Sequence, residues 1–304
     1  MKSEVVKFLA DNNITFTDEG AYLQIADKPI RVYTVDDAYE YRTAYYDDKG
    51  GVSKDHFRNT SIANEEAGIR TIWIKPWEFE AGTPKRAVLE SIILTAAGQI
   101  HNTFNGRDTE VREVTTKELR PFLEQNSFYG FRGSSIALGL YLKKDVGDVP
   151  KGTLLMVYTF GHPFFGGKKK KYDVEIIRAA TLRNTQVRGG ASKLFKHFVT
   201  NCPVLNIGPR VVEWETICYY VDYDHNSGNS LPHLGFTFDK YAGPGFMNVT
   251  RATGKATHRE PARHGEIMQL IREGKMYSVF NAGVKVFTYT KGGDVKMAST
   301  FIGE

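Results

Sequence analysis

The sequence predicts a mixed α/β fold, of the α+β kind, built in two parts. Three observations carry this. Short segments that alternate apolar and polar residues interleave with segments of helical period along the chain. At 304 residues the chain has room for two domains of ordinary size. Charge is also divided unevenly: residues 151–304 carry 21 basic and 12 acidic side chains, and residues 1–150 carry 19 and 23, within a net of +5. The second half is the one suited to a polyanion, unless its charge serves only solubility.

Composition excludes several classes. Hydrophobic residues at 41% and charged residues at 25% argue against global disorder. Cys202 and Cys218 are too few for a disulfide framework or a four-cysteine zinc site. No apolar run approaches the roughly 20 residues that span a bilayer. The N-terminus reads as an amphipathic helix start and not as a signal peptide, so a reducing, cytoplasmic setting without membrane contact is expected.

Elements follow in order. Ser3 is expected to cap a helix with Val5, Phe8 and Leu9 on one face. Residues 21–25 and 29–35 read as strands, and 54–67 as a helix closed by Gly68. The segment 69–75 alternates and is bounded by Pro76, which makes it a strand. Thr83-Pro84 opens a helix, because proline is pre-organised for a first turn. After the turn signal at Asn105-Gly106 come a strand at 109–114, a helix at 116–126, and strands at 135–142, 153–160 and 172–182. A glycine-started helix at 189–200 and a strand at 215–222 follow, then a short helix and the Leu234-Gly235-Phe236 turn. Residues 276–290 read as a final hairpin turning near Asn281-Ala282-Gly283.

Two stretches carry a resemblance. His56-Phe57-Arg58-Asn59, Ala67 through Ile74 and Trp77-Glu78 resemble part of a Vsr-like endonuclease domain of bacteriophage Hef-like homing endonucleases. That resemblance implies a small restriction-endonuclease-like domain over 1–105, of the PD-(D/E)xK type, with His56 as a catalytic residue and Mg²⁺ as its metal. The sequence departs from the pattern. Gln24 stands where a strand acid is expected, Arg31 occupies the next strand, and Asn59 replaces a lysine. The metal site therefore reads as degenerate, with Glu4, Asp27, Asp36 and Asp37 the remaining acids and no metal ligands assigned. The other reading of His56 is a surface or helix-packing histidine.

The order of elements over 106–304 resembles the GNAT acyltransferase fold, with a mixed, mostly antiparallel sheet, a basic C-terminal extension and a hairpin. Gln186-Val187-Arg188-Gly189-Gly190-Ala191 resembles that family's pyrophosphate loop. Glycines let a backbone approach phosphate, and the free N–H groups of a helix start bind its oxygens. Ser192 and Lys193 add a hydroxyl and a cation. The cofactor is left unknown: a CoA-type or other phosphate-bearing donor fits, and so does a tight turn with no ligand. The family's tyrosine before the Leu-Gly-Phe turn is missing.

Asp222-Tyr223-Asp224-His225-Asn226-Ser227-Gly228 resembles a segment of the Hef-like C-terminal domain. Asp222 is expected to point between splayed central strands as a general base, with His225 beside it as a second catalytic candidate. A solvated Asx-rich turn is the other reading for Asp224, His225 and Asn226. Thr159 to Pro163 and Arg178 extend the Hef-like match. For DNA, the candidate phosphate contacts are Lys168, Lys169, Lys170, Lys171, Arg178, Arg259 and Arg263. Phosphate contacts position a protein but read no sequence. The resemblance implies a phage protein working in the infected bacterial cytoplasm. The leading expectation is a GNAT-like group transfer in DNA base modification, in which DNA would be hypermodified. The alternatives are a Mg²⁺-dependent nuclease and a non-catalytic DNA-binding protein.

Overall fold

The computed structural model describes residues 1–43, 50–164, 171–207, 210–258, 263–293 and 295. Its backbone forms two compact units. The first comprises Met1–Arg86, Val221–Ser227 and Tyr241–Lys285, and the second Ala87–Tyr220, Gly228–Lys240 and Val286–Glu304. The first 86 residues thus share their unit with two later segments, which the turn signal at Asn105-Gly106 does not reveal.

The first unit begins with α1 (Lys2–Asp11), whose N-cap is Met1 and not Ser3. The reason is an ionic anchor: the Lys2 N–H donates to Asp36 at 2.5 Å, and the terminal amine lies 3.4 Å from the same carboxylate. A four-stranded sheet follows in the order β1 (Phe16–Asp18), β2 (Leu23–Ile25), β3 (Ile30–Thr34) and β4 (Arg70–Ile74). β1, β2 and β3 pair antiparallel, whereas β3 and β4 pair parallel through the crossover helix α2 (His56–Glu66). Phe57 and Trp73 are buried with Tyr33, their rings 4.5 Å apart, and the Trp73 indole N–H donates to Ser61 at 3.0 Å.

The second unit takes α3 (Pro84–Ala97) from residue 87 onward. It then presents β5 (Asn102–Asn105), β6 (Thr109–Glu113), α4 (Thr116–Asn126), β7 (Ile136–Leu142), β8 (Leu154–Gly161) and β9 (Val174–Thr181). β10 (Thr185–Arg188) pairs parallel with β5 and leads into α5 (Gly190–Asn201). β11 (Val204–Ile207) and β12 (Arg210–Glu213) form a hairpin before β13 (Thr216–Asp222). A short 3-10 turn at Leu231–Leu234 ends on Gly235 in the left-handed region and precedes β14 (Thr237–Ala242).

The remaining elements are β15 (Phe246–Thr250), β16 (Ala256–His258), α6 (His264–Arg272), β17 (Met276–Phe280) and β18 (Val284–Thr290). The expected hairpin at 276–290 does not form. β17 pairs with β15 in a three-stranded sheet, and β18 lies between β14 and β13 in a seven-stranded one. Asn281 redirects the chain, because its carboxamide oxygen accepts from Gly245 and Gly283 N–H instead of closing a two-strand turn.

The seven-stranded sheet runs β14-β18-β13-β9-β8-β7-β6. β6 through β9 are antiparallel neighbours, whereas β9 and β13 are parallel. α5 packs on this sheet, with Phe198 stacked on Phe160 at 3.7 Å and Leu194, Phe195 and Phe198 fully buried. These three residues have the helical spacing of an apolar face. No helix among the described residues is long and apolar enough to cross a membrane.

Candidate functional site

β9 and β13 are paired only from Val174 to Ile176 against Ile217 to Tyr219, although both strands continue beyond. The register of β9 against β8 shifts just there: Thr159 faces Arg178, but Phe160 faces Ile176. The extra residue, Ile177, bends the strand away from its neighbour, as a bulge does. Two parallel strands therefore part at their C-terminal ends, and the connection between them includes α5. Ligands of α/β sheets favour such openings.

α5 starts on Gly189 at φ 71°, a left-handed conformation that glycine adopts without strain. A side chain there would meet nothing within 4 Å, and Gly189 and Arg188 are exposed. The first bond of the helix runs from the Lys193 N–H to the Gly189 carbonyl at 3.0 Å. The amides of Gly190, Ala191 and Ser192 precede it and carry the positive end of the helix dipole. Gly190 is buried for a packing reason: a Cβ would come within 2.8 Å of Val187 Cγ1 and 3.0 Å of Leu140 Cδ1. Gln186 stands in β10, half-buried.

Two residues of the loop are placed differently from the expectation. The Lys193 ammonium donates to the Gly106 carbonyl at 2.8 Å and to the Thr109 carbonyl, so it ties α5 to the chain before β6. Burial, then Lys143 nearby, lowers its pKa. Ser192 is buried. The backbone amides of Gly190, Ala191 and Ser192 are left as the anion donors of this loop, in residues that are buried or half-buried beside the exposed Gly189.

Asp222, Asp224 and His225 lie in the first unit with Lys75 and Glu78. The Trp73 N–H donates to the Asp224 carbonyl at 2.8 Å, so the segment runs beside β4. Lys75 Nζ lies 2.7 Å from Asp224 Oδ2 and 3.8 Å from Glu78 Oε1. His225 Nδ1 lies 2.6 Å from Asp222 Oδ2, and its Nε2 is 3.8 Å from Glu78 Oε2. Glu78 also accepts the Lys75 N–H at 3.1 Å, and Asp224 Oδ1 accepts the Ala282 N–H at 2.9 Å. All but Asp222 are buried, and the Asp222 side chain is 15% exposed.

This cluster replaces the expected solvated turn: Asp224 and His225 are interior groups, and only Asn226 faces solvent. Asp222 is turned to His225 and is not the free base at a strand opening that the sequence suggests. Burial alone would lower the His225 pKa, but Asp222, then Glu78, outweigh it and push it up to about 10. For Asp222, burial raises the pKa, but His225 and Lys75 more than offset this and hold it below the usual carboxylate range. Burial raises Asp224, and Lys75 offsets this only in part.

A sign follows for stability. His225 is charged in the fold and has an ordinary value near 6.5 unfolded, so its contribution is full below pH 6.5 and is lost as pH rises towards 10. We expect urea midpoints to fall between pH 7 and pH 10, and this fall to shrink in His225→Gln. An unchanged slope in that variant would place the pH dependence elsewhere.

His56 opens α2 with its ring against Tyr41 and Trp73, and burial lowers its pKa. The acids proposed for a metal are engaged elsewhere. Glu4 pairs with Arg86 at 2.6 Å, Asp36 takes Lys2 and Thr34, and Asp37 caps Tyr39 N–H at 2.8 Å. Asp27 sits in the turn after β2 at φ 56°. Where the nuclease pattern needs carboxylates, Gln24 accepts from Arg31, and Arg31 donates to Asn64 at 2.7 Å. Among the described residues no cluster of His, Cys, Asp and Glu is arranged to hold a metal ion. This donor set does not fit Mg²⁺.

Of the candidate DNA contacts, Lys168, Lys169, Lys170 and Arg259 lie outside the described residues. Lys171 pairs with Asp239 at 2.6 Å, and Arg263 with Glu266 at 2.7 Å. Arg178 donates to the carbonyls of Gly130 at 3.0 Å and Tyr129 at 3.2 Å. Neither a family model nor a curated protein matches this chain.

Proposed function

We propose that the protein is a GNAT-like group-transfer enzyme, of acyl or aminoacyl type, that modifies a base of bacteriophage DNA. One observation carries this reading: the parallel pair β9 and β13 parts after three residues, and the helix between them starts on an exposed glycine. The sheet order and the bulge at Ile177 agree with the resemblance stated for residues 106–304.

In this reading the amides of Gly190 to Ser192 hold the phosphate of a CoA-type or other phosphate-bearing donor. Such a donor, when bound, supplies the activated group. Arg188 is exposed beside the loop, and its cation favours the same anion. Lys193 acts from behind, by fixing the helix start to the Gly106 and Thr109 carbonyls. Asp222 receives no general-base step, because a carboxylate held below its usual range accepts a proton poorly near neutral pH.

The test is incubation with phage DNA and candidate donors, followed by nucleoside mass spectrometry. A mass increase on one nucleoside with one donor is expected. No mass change with any donor would count against transfer, and Mg²⁺-dependent nicking lost in His56→Ala would favour the nuclease instead.

A further inference from the structure

The second unit carries a row of aromatic rings and guanidinium groups that the proposed function does not use, with Tyr129, Phe164 and Arg120 exposed and Phe131, Arg132 and Arg178 half-buried. Tyr129 is 49% exposed and Phe164 is 62% exposed, which is unusual for large rings. Arg178 lies over the Tyr129 ring at 5.8 Å, and Arg132 lies over the Phe164 ring at 4.3 Å. Arg120 continues the row over Phe131 at 4.0 Å. Phe128 meets Tyr129 edge-on at 5.1 Å.

The charges of this row are unbalanced. Among the described residues, neither Arg132 nor Arg178 forms an ion pair with a carboxylate. The two guanidiniums lie close enough for Arg132 to disfavour the charge on Arg178, second only to burial. The nearby carboxylates are occupied by backbone donors: Glu175 accepts the Phe164 N–H at 2.7 Å, and Glu124 accepts the Phe131 N–H at 3.2 Å. Two like charges held together in this way gain from an anion between them. The row is fixed in place, because Arg178 is tied to the carbonyls of 129 and 130 and stands two residues beyond the last β9 residue paired with β13.

We propose that this row binds an unpaired nucleic-acid strand, with bases stacked on Tyr129 and Phe164 and phosphates held by Arg132 and Arg120. Exposed rings interleaved with cations are the chemistry of single-strand recognition, since each base has a π-face and each nucleotide an anion. A duplex offers the anions but hides the faces. The inference rests on the proposed function for the choice of DNA as ligand and deepens it by naming the form of acceptor.

The test is fluorescence anisotropy with a labelled 20-nucleotide DNA strand and its duplex, without donor. The strand is expected to bind at least tenfold more tightly than the duplex. Tyr129→Ala and Phe164→Ala should each weaken strand binding by about tenfold. Arg132→Gln should lower the salt dependence by about 0.7 in log–log slope. Tyr129→Trp should keep binding and show indole quenching by the strand. Because both rings are exposed, the melting temperatures should stay near that of the parent. Equal binding of duplex and strand, or parent-like binding by both alanine variants, would overturn the proposal. Loss of transfer with strand binding intact would fault only the transfer reading.

Discussion

Replacing Lys75 with Met should destabilise the protein by about 3–5 kcal/mol, the usual cost of removing one partner from a buried ion pair. The ammonium lies 2.7 Å from Asp224, and it also faces Glu78. Without it, the three carboxylates of the cluster, Asp222, Asp224 and Glu78, are left facing one cation, His225. Asp224 already has its pKa raised by burial, so it should take up a proton and become neutral in the variant. The double variant Lys75→Met, Asp224→Leu should recover part of the loss, because an apolar pair of similar volume often replaces a buried salt bridge without cost. Recovery should stay incomplete by about 1–3 kcal/mol, since the Ala282 N–H loses its acceptor. Chemical denaturation of the four proteins checks this as a double-mutant cycle. A single-variant loss below about 1 kcal/mol would mean that the cluster is solvated.

The reach of the sequence differs between the two units for a physical reason. In the second unit helix α5 buries one face, so the period of its apolar residues shows its kind: Leu194, Phe195 and Phe198 face inward as their spacing says, whereas β7 and β8 are buried almost throughout and read as apolar runs. The sharp turn at Gly189 was legible because a left-handed residue before a helix favours glycine. Side-chain direction was not legible. Lys193 reads as a phosphate ligand beside Gly190, but its ammonium is turned to the Gly106 and Thr109 carbonyls, 87 and 84 residues away.

The first unit hid more. Lys75 and Asp224 are 149 residues apart, and no local pattern brings them together. Lys75 closes a segment, 69–75, that reads only as a strand, and Asp224 to Asn226 read as a turn. The one available signal was composition: two acids and a histidine within four residues, directly after an apolar strand. The final hairpin failed for a related reason. Val284 to Thr290 has the alternation of a strand, but alternation does not identify a partner, and β18 pairs between β14 and β13.

A second large effect is expected at the start of α5. Gly189→Asp should abolish donor-dependent transfer, reducing it at least a hundredfold, while the fold persists. The position has open space for a side chain, and aspartate tolerates the left-handed region better than most residues. The strain, roughly 1 kcal/mol, is offset by the gain of an acid at a helix N-terminus, about 0.3–1 kcal/mol. The new carboxylate would stand where the donor phosphate is proposed to sit. Two like charges about 4 Å apart repel by about 4 kcal/mol at the effective dielectric of a protein surface. Steady-state transfer rates and thermal melts of the two proteins check both halves. A variant that folds and transfers at the parent rate would remove the phosphate from this helix.

The most direct measurement is the amide spectrum of isotope-labelled protein titrated with coenzyme A and, separately, with inorganic pyrophosphate. Both ligands should shift the amide resonances of Gly190, Ala191 and Ser192 together, and the shifts should vanish in Gly189→Asp. Unmoved resonances at these three residues under saturating ligand, or the same shifts in the variant, would contradict a donor site at the start of α5.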